Sequence, residues 1–135
     1  MYNYSVLIYL ITITFYTKGE EVMLVRNGEG MKEYTVIQNG VGEILKVNKF
    51  GPDETANRCK MVAELCLEPG QCTGLHAHTT NVELFYMLEG ELVCIEDGEE
   101  VILKPGDCTA TANGDKHQII NRSDKVAKVL AVVIN

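Results

Sequence analysis

Residues 61–104 read MVAELCLEPGQCTGLHAHTTNVELFYMLEGELVCIEDGEEVILK, and the alternation within them decides the fold class. Met61, Ala63, Leu65 and Leu67 alternate with Val62, Glu64, Cys66 and Glu68, the period of two that a half-buried strand requires. Glu68-Pro69-Gly70 then closes the run. Further strands are predicted over residues 75–78, 83–88, 91–96 and 100–104, each bounded by turn-forming residues. Glu89-Gly90 and Asp97-Gly98 each supply a glycine suited to positive φ, so both predict hairpins between antiparallel neighbours. Working outward, residues 117–121 and 125–134 predict two more strands downstream, and residues 33–38 and 43–49 a pair upstream. From Met23 onward no apolar 3.6-residue pattern lasts three turns, which excludes a helical bundle or helix-turn-helix. Many short strands with regular turns predict an all-β sandwich or closed barrel.

The chain has 135 residues, one domain's worth of sequence. Its hydrophobic fraction of 46% and charged fraction of 23% exclude disorder as the overall state. Twelve Lys and Arg against nineteen Asp and Glu leave a net charge of -7. No basic field then exists to hold a phosphate backbone, so nucleic acid is not expected as a partner. The five cysteines are odd in number and form no C-x-x-C pair, against both a disulfide framework and a zinc ribbon. They read as reduced thiols of a cytoplasmic protein, with Cys66, Cys94 and Cys108 placed in the core.

Residues 1–22 differ from the rest. Residues 6–15 (VLIYLITITF) are apolar and uncharged. That is about half the ~20 residues of a membrane-spanning helix, so no membrane partner is expected. A signal peptide is poorly matched, because no basic region precedes the run. Residues 1–22 are thus an N-terminal extension: either an extra strand, or the product of a mis-called start with the true beginning at Met23. Lys18-Gly19-Glu20-Glu21 favours the second, since its codons would resemble a ribosome-binding site. Residues 23–135 are read as the folded domain.

Only three histidines occur, His76, His78 and His117. On a strand, positions i and i+2 share a face roughly 7 Å apart, so His76 and His78 can converge on one ion if that face looks into a barrel. Glu83 follows the turn-forming Thr79-Thr80-Asn81, and an antiparallel return would bring its carboxylate back beside the imidazoles. His117 opens a strand after Asn113-Gly114-Asp115, with Ile119 and Asn121 on its face. Three imidazoles and a carboxylate suit a divalent transition metal: Mn, Fe, Co, Ni, Cu or Zn.

Phe85 and Met87 share the face of Glu83, and Ile119 that of His117, so these three are predicted to line a substrate pocket or fill the core beneath it. Arg58, Lys60 and Arg122 are candidates for gripping a carboxylate substrate at the mouth. Cys72 reads as a small buried hydrophobe rather than a soft ligand. The acidic string Glu96, Asp97, Glu99 and Glu100 reads as a solvated hairpin tip. No catalytic acid or base stands out; Tyr86 should face outward, leaving Glu64, Glu68 or another tyrosine.

The spacing Gly70, five residues, His76-x-His78, four residues, Glu83, six residues, Gly90 resembles the first motif of the cupin superfamily at every fixed position. Gly106, five residues, Ala112-x-Gly114, two residues, His117, three residues, Asn121 resembles the second motif, with Ala112 where proline is usual. The short separation of the motifs is similar to that of small single-domain cupins. The resemblance implies a double-stranded β-helix, or jelly-roll β-barrel, with His76, His78, Glu83 and His117 as metal ligands and open coordination positions. It also implies a small-molecule partner, a homodimer built through edge strands, and metal-dependent enzymes of dioxygenase, decarboxylase or isomerase type. A non-catalytic sensing or metal-binding module is the alternative.

Overall fold

The computed structural model describes residues 23–135; the expectations for residues 1–22 lie outside the described residues. Ten strands follow one another: β1 Met31–Thr35, β2 Ile44–Phe50, β3 Cys59–Leu67, β4 His76–Ala77, β5 Val82–Glu89, β6 Leu92–Glu96, β7 Glu99–Leu103, β8 Cys108–Thr111, β9 Lys116–Ile120 and β10 Ala127–Ile134. They form a six-stranded sheet in the order β1-β2-β3-β10-β5-β8 and a four-stranded sheet in the order β4-β9-β6-β7. Every pairing is antiparallel. The two sheets face each other as a jelly roll, an all-β fold as expected. Among the described residues no helix is long and apolar enough to cross a membrane.

The period of two places the core. On β3, Ala63, Leu65 and Leu67 are buried, and on β10 so are Ala127, Val129, Ala131 and Val133. Of these, Leu65, Leu67, Ala127, Val129 and Ala131 meet Leu92, Cys94 and Ile119 from the opposing sheet in one apolar cluster. Each large side chain fully buried there contributes about 1.5–3 kcal/mol. Met87 and Ile119 belong to this cluster, fully buried, whereas Phe85 reaches both the core and the cleft above it.

Three expectations are corrected. Glu89-Gly90 is no hairpin: β5 lies between β10 and β8, β6 lies between β7 and β9, and the dipeptide carries the chain from one sheet to the other. Asp97-Gly98 does close a hairpin, pairing Glu96 with Glu99. Its φ values of 46° and 88° are those of the type I′ turn that matches strand twist. Strand β8 (CTAT) has no hydrophobic alternation to announce it; it turns Thr111 inward and leaves Cys108 exposed rather than in the core. Cys66 is half-buried, on the face of β3 opposite Leu65 and Leu67, so only Cys94 of the three is a core thiol.

Candidate metal centre

Each ligand candidate is positioned by its own element. His76 on β4 is the cross-strand partner of His117 on β9. His78 sits one residue past β4, where its backbone N–H donates to Asp115 O at 3.1 Å and its carbonyl accepts from Gly114 N at 2.8 Å. That turn forms without the usual proline: Asp115 N donates to Ala112 O at 3.0 Å, and Asn113 and Gly114 take φ of 57° and 87°. Glu83 arrives on β5 from the facing sheet, because β4 and β5 do not pair. The carboxylate therefore meets the imidazoles across the barrel rather than along a hairpin.

The four side chains converge. Glu83 Oε2 lies 2.8 Å from both His78 Nε2 and His117 Nε2, and 3.6 Å from His76 Nε2. His117 Nε2 is 3.1 Å from the Nε2 atoms of His76 and His78. One ligand atom from each residue falls within 4.8 Å of all the others, so the cluster could hold a metal ion. His78, Glu83 and His117 are buried, and the Phe85 ring stacks on His117 with centroids 4.7 Å apart and planes 13° from parallel.

The far side of each imidazole is also engaged. His76 Nδ1 lies 2.8 Å from Gly74 O, and His78 Nδ1 lies 2.7 Å from Asn81 Oδ1. Both partners are acceptors, so both Nδ1 atoms carry the proton. His117 Nδ1 lies 2.7 Å from Thr111 Oγ1, whose hydroxyl is 2.8 Å from each Glu96 carboxylate oxygen. The single hydroxyl proton goes to the carboxylate, leaving the oxygen to accept from Nδ1–H. A neutral ring protonated on Nδ1 in this way presents its Nε2 lone pair to the Glu83 carboxylate. Such an all-acceptor cluster calls for positive charge at its centre, and three imidazoles with one carboxylate fit a divalent transition metal.

Electrostatics agree with that demand, because without an ion the positive charge beside Glu83 comes from protonated imidazole. Burial pushes the Glu83 carboxyl up, but hydrogen bonds with His117 and His76 and the charge of neighbouring imidazoles outweigh it and hold the group at about 2. Burial pulls His76 down, yet its contacts with Glu83 and Gly74 O leave it above its ordinary value.

A cleft of about 1200 Å³ opens over the cluster, with His76, His78, Glu83 and Phe85 at its base and Lys60, Met61, Thr73 and Gln38 among its walls. Met87 and Ile119 do not reach it. Arg58 is exposed in the approach to β3 and is not among the lining residues. Arg122 is taken up by Glu100, at 2.7 Å on the outer surface. Cys72 bridges Val41 and Ile120 and stands outside the ligand cluster. Glu96 is not part of a solvated tip: it turns inward to Thr111, its side chain 24% exposed. Its alternation with Leu92 and Cys94, both inward-facing, was the available signal.

Comparison with known proteins agrees with this geometry. Residues 63–133 match the family described as Cupin domain. The chain is 33% identical over 113 residues to the oxalate-binding protein of Thermotoga maritima, covering 83% of this chain and 93% of that one. Over 64 residues it is 34% identical to tetracenomycin polyketide synthase protein TcmJ of Streptomyces glaucescens, spanning 47% of this chain and 43% of that one. The crystal structure of a predicted oxalate decarboxylase from Thermotoga maritima superposes with a TM-score of 0.79 at 33% identity, covering 83% of this chain and 98% of that one. With both motifs, the jelly roll and these likenesses in agreement, the chain belongs to the cupin family.

Proposed function

We propose that His76, His78, Glu83 and His117 hold one divalent transition metal ion, and that the chain acts on a small chelating carboxylate of the oxalate class bound in the cleft above. The observation that carries this reading is the convergence of three Nε2 atoms on one carboxylate, each ring engaged from behind at Nδ1. A bound ion would supply Lewis acidity toward paired substrate oxygens at its open positions. The chain's own residues would orient and select. Lys60 stands on the cleft wall with no ion pair among the described residues, a cation suited to a carboxylate left outside the metal's reach. Phe85 and Met61 supply apolar walls that limit water at the base. The names of the Thermotoga relatives support oxalate as the first ligand to try.

Binding without turnover is the second reading, and one observation favours it. Among the described residues, the carboxylates lining the cleft apart from the cluster are Glu29 and Glu54, and each is engaged in a turn: Glu29 accepts from Arg26 N and Glu54 from Gly51 N. Both carboxylates are thus held in their own turns, outside the four-residue cluster. Elemental analysis of protein purified without chelator, beside a His76→Ala/His117→Ala double variant, tests the metal site. Near-stoichiometric metal, lost in the variant, is the expected result; no metal and no uptake on reconstitution would refute the proposal. Calorimetry with oxalate and assays for its consumption, the latter repeated under dioxygen, then separate turnover from storage or sensing.

A further inference from the structure

We infer that Thr111 and Glu96 are positioning residues that hold the His117 proton on Nδ1 and so keep Nε2 open for a metal. The inference rests on the metal-site reading above and extends it to two residues that lie outside the ligand set. Both are placed by strand register. Thr111 on β8 is the cross-strand partner of Glu83, and Glu96 on β6 is the cross-strand partner of His117. Each ligand therefore brings one member of the relay with it, from a different sheet, and the two members meet inside the barrel.

His76 and His78 meet carbonyl acceptors at Nδ1, whereas His117 meets a hydroxyl there and so has a choice of protonation site that they do not. Its Nε2 lies 2.8 Å from Glu83 Oε2, an acceptor well placed to capture a proton on that nitrogen. A neutral His117 protonated on Nε2 would close on Glu83 and withdraw its lone pair from the cluster. What opposes this is the Thr111 hydroxyl 2.7 Å from Nδ1. A hydroxyl can donate or accept, so alone it would not decide the matter. Glu96 decides it: with both carboxylate oxygens 2.8 Å from Thr111 Oγ1, it accepts the hydroxyl's hydrogen bond and leaves an oxygen lone pair facing Nδ1. Glu96 Oε2 also lies 3.9 Å from Nδ1 itself, reinforcing the same protonation site. Thr111 and His117 are fully buried, so no bulk water competes for the contact between them. Phe85 stacks on the ring and limits its rotation, leaving proton location as the variable the relay controls.

The test uses the full chain labelled with 15N-histidine, stripped of metal and held at a pH where His117 is neutral, as wild type, Thr111→Val, Thr111→Ser and Glu96→Ala. Long-range proton–nitrogen spectra report which ring nitrogen carries the proton, and competition against a chromophoric chelator reports Zn2+ affinity. Wild type and Thr111→Ser are expected to show Nδ1–H. Thr111→Val and Glu96→Ala are expected to move the proton to Nε2 and weaken Zn2+ binding by about 10–100-fold. A Thr111→Val protein that keeps Nδ1–H and binds Zn2+ within twofold of wild type overturns the inference, and lowered thermal stability with an unmoved proton also overturns it, showing only a stitch between sheets. If the proton moves as expected but wild type binds no Zn2+, the relay stands and the metal-site reading falls.

Discussion

Acidifying the metal-free protein should destabilise it through Glu83, by an amount the geometry sets. The carboxyl ionises at about 2 in the folded chain against an ordinary value of 4.5, because buried imidazoles hydrogen-bond to its charged form. A lowered folded value means that the unfolded chain binds more protons between those limits, so the stabilisation is complete above pH 4.5 and disappears as pH falls toward 2. At about 1.4 kcal/mol per unit the difference is about 3 kcal/mol. A domain stable by roughly 5–15 kcal/mol would feel that plainly. His76 works in the opposite sense: its value is raised above 6.5, so its contribution is present below that pH and lost as pH rises through the raised value. Metal-free stability from the pair should therefore peak between pH 4.5 and 6.5. The chain has no Trp, so urea titrations followed by far-ultraviolet circular dichroism at pH 6 and pH 3 are the suitable assay. Glu83→Gln removes the ionisation and should flatten the acid limb. An acid limb of unchanged slope in that variant would refute the reasoning.

Other expectations concern packing and ligands. A Cβ on Gly74 would lie 2.7 Å from the Gln38 carbonyl carbon and nearer still to its oxygen, backbone that cannot swing aside. Gly74→Ala should cost about 1–3 kcal/mol in urea denaturation. It should also weaken metal uptake, since Gly74 O fixes His76; unchanged values of both would refute this. Met87→Ala, in the core beneath the site, should cost about 2–5 kcal/mol in the same assay while leaving metal stoichiometry intact. Metal at a hundred times its dissociation constant should add about 2.7 kcal/mol to wild-type stability, and nothing to the His76→Ala/His117→Ala variant. Lys60→Ala should weaken oxalate binding in calorimetry without changing metal content, and equal oxalate affinity would remove Lys60 from recognition.

The ligand cluster was legible because its spacing is carried by scarce residues: three histidines, two of them one residue apart, and a glutamate just past a turn. The barrel was legible because β3 alternates in residue type and short strand-like runs recur between turn residues, although on β5 and β10 it is burial that alternates, with apolar residues on both faces. Strand β8 was not, since Thr109 and Thr111 face inward in place of hydrophobes and the pattern that marks a strand is absent. Glu89-Gly90 announces a turn, but a dipeptide holds no information on which sheet receives the next strand. Glu96 was assigned by its charge and its acidic neighbours, although strand period already aligned it with Leu92 and Cys94. The depths of Met87 and Ile119 depend on where the cleft stops, which is set by the opposing sheet and not by their own strands.

The pairing of His76 with His117 joins positions 41 residues apart, and β4, only two residues long, has β9 as its sole strand partner among the described strands. Contacts of such separation carry a loop-closure cost, and with so short a strand the cluster is expected to assemble after both sheets have docked. An ion that recognises the assembled cluster has nothing to grip in the folding transition state. It would leave the refolding rate where it is and act wholly on the rate of escape from the native state. Chains made in metal-poor and metal-rich media would then fold equally fast and differ in how long they last.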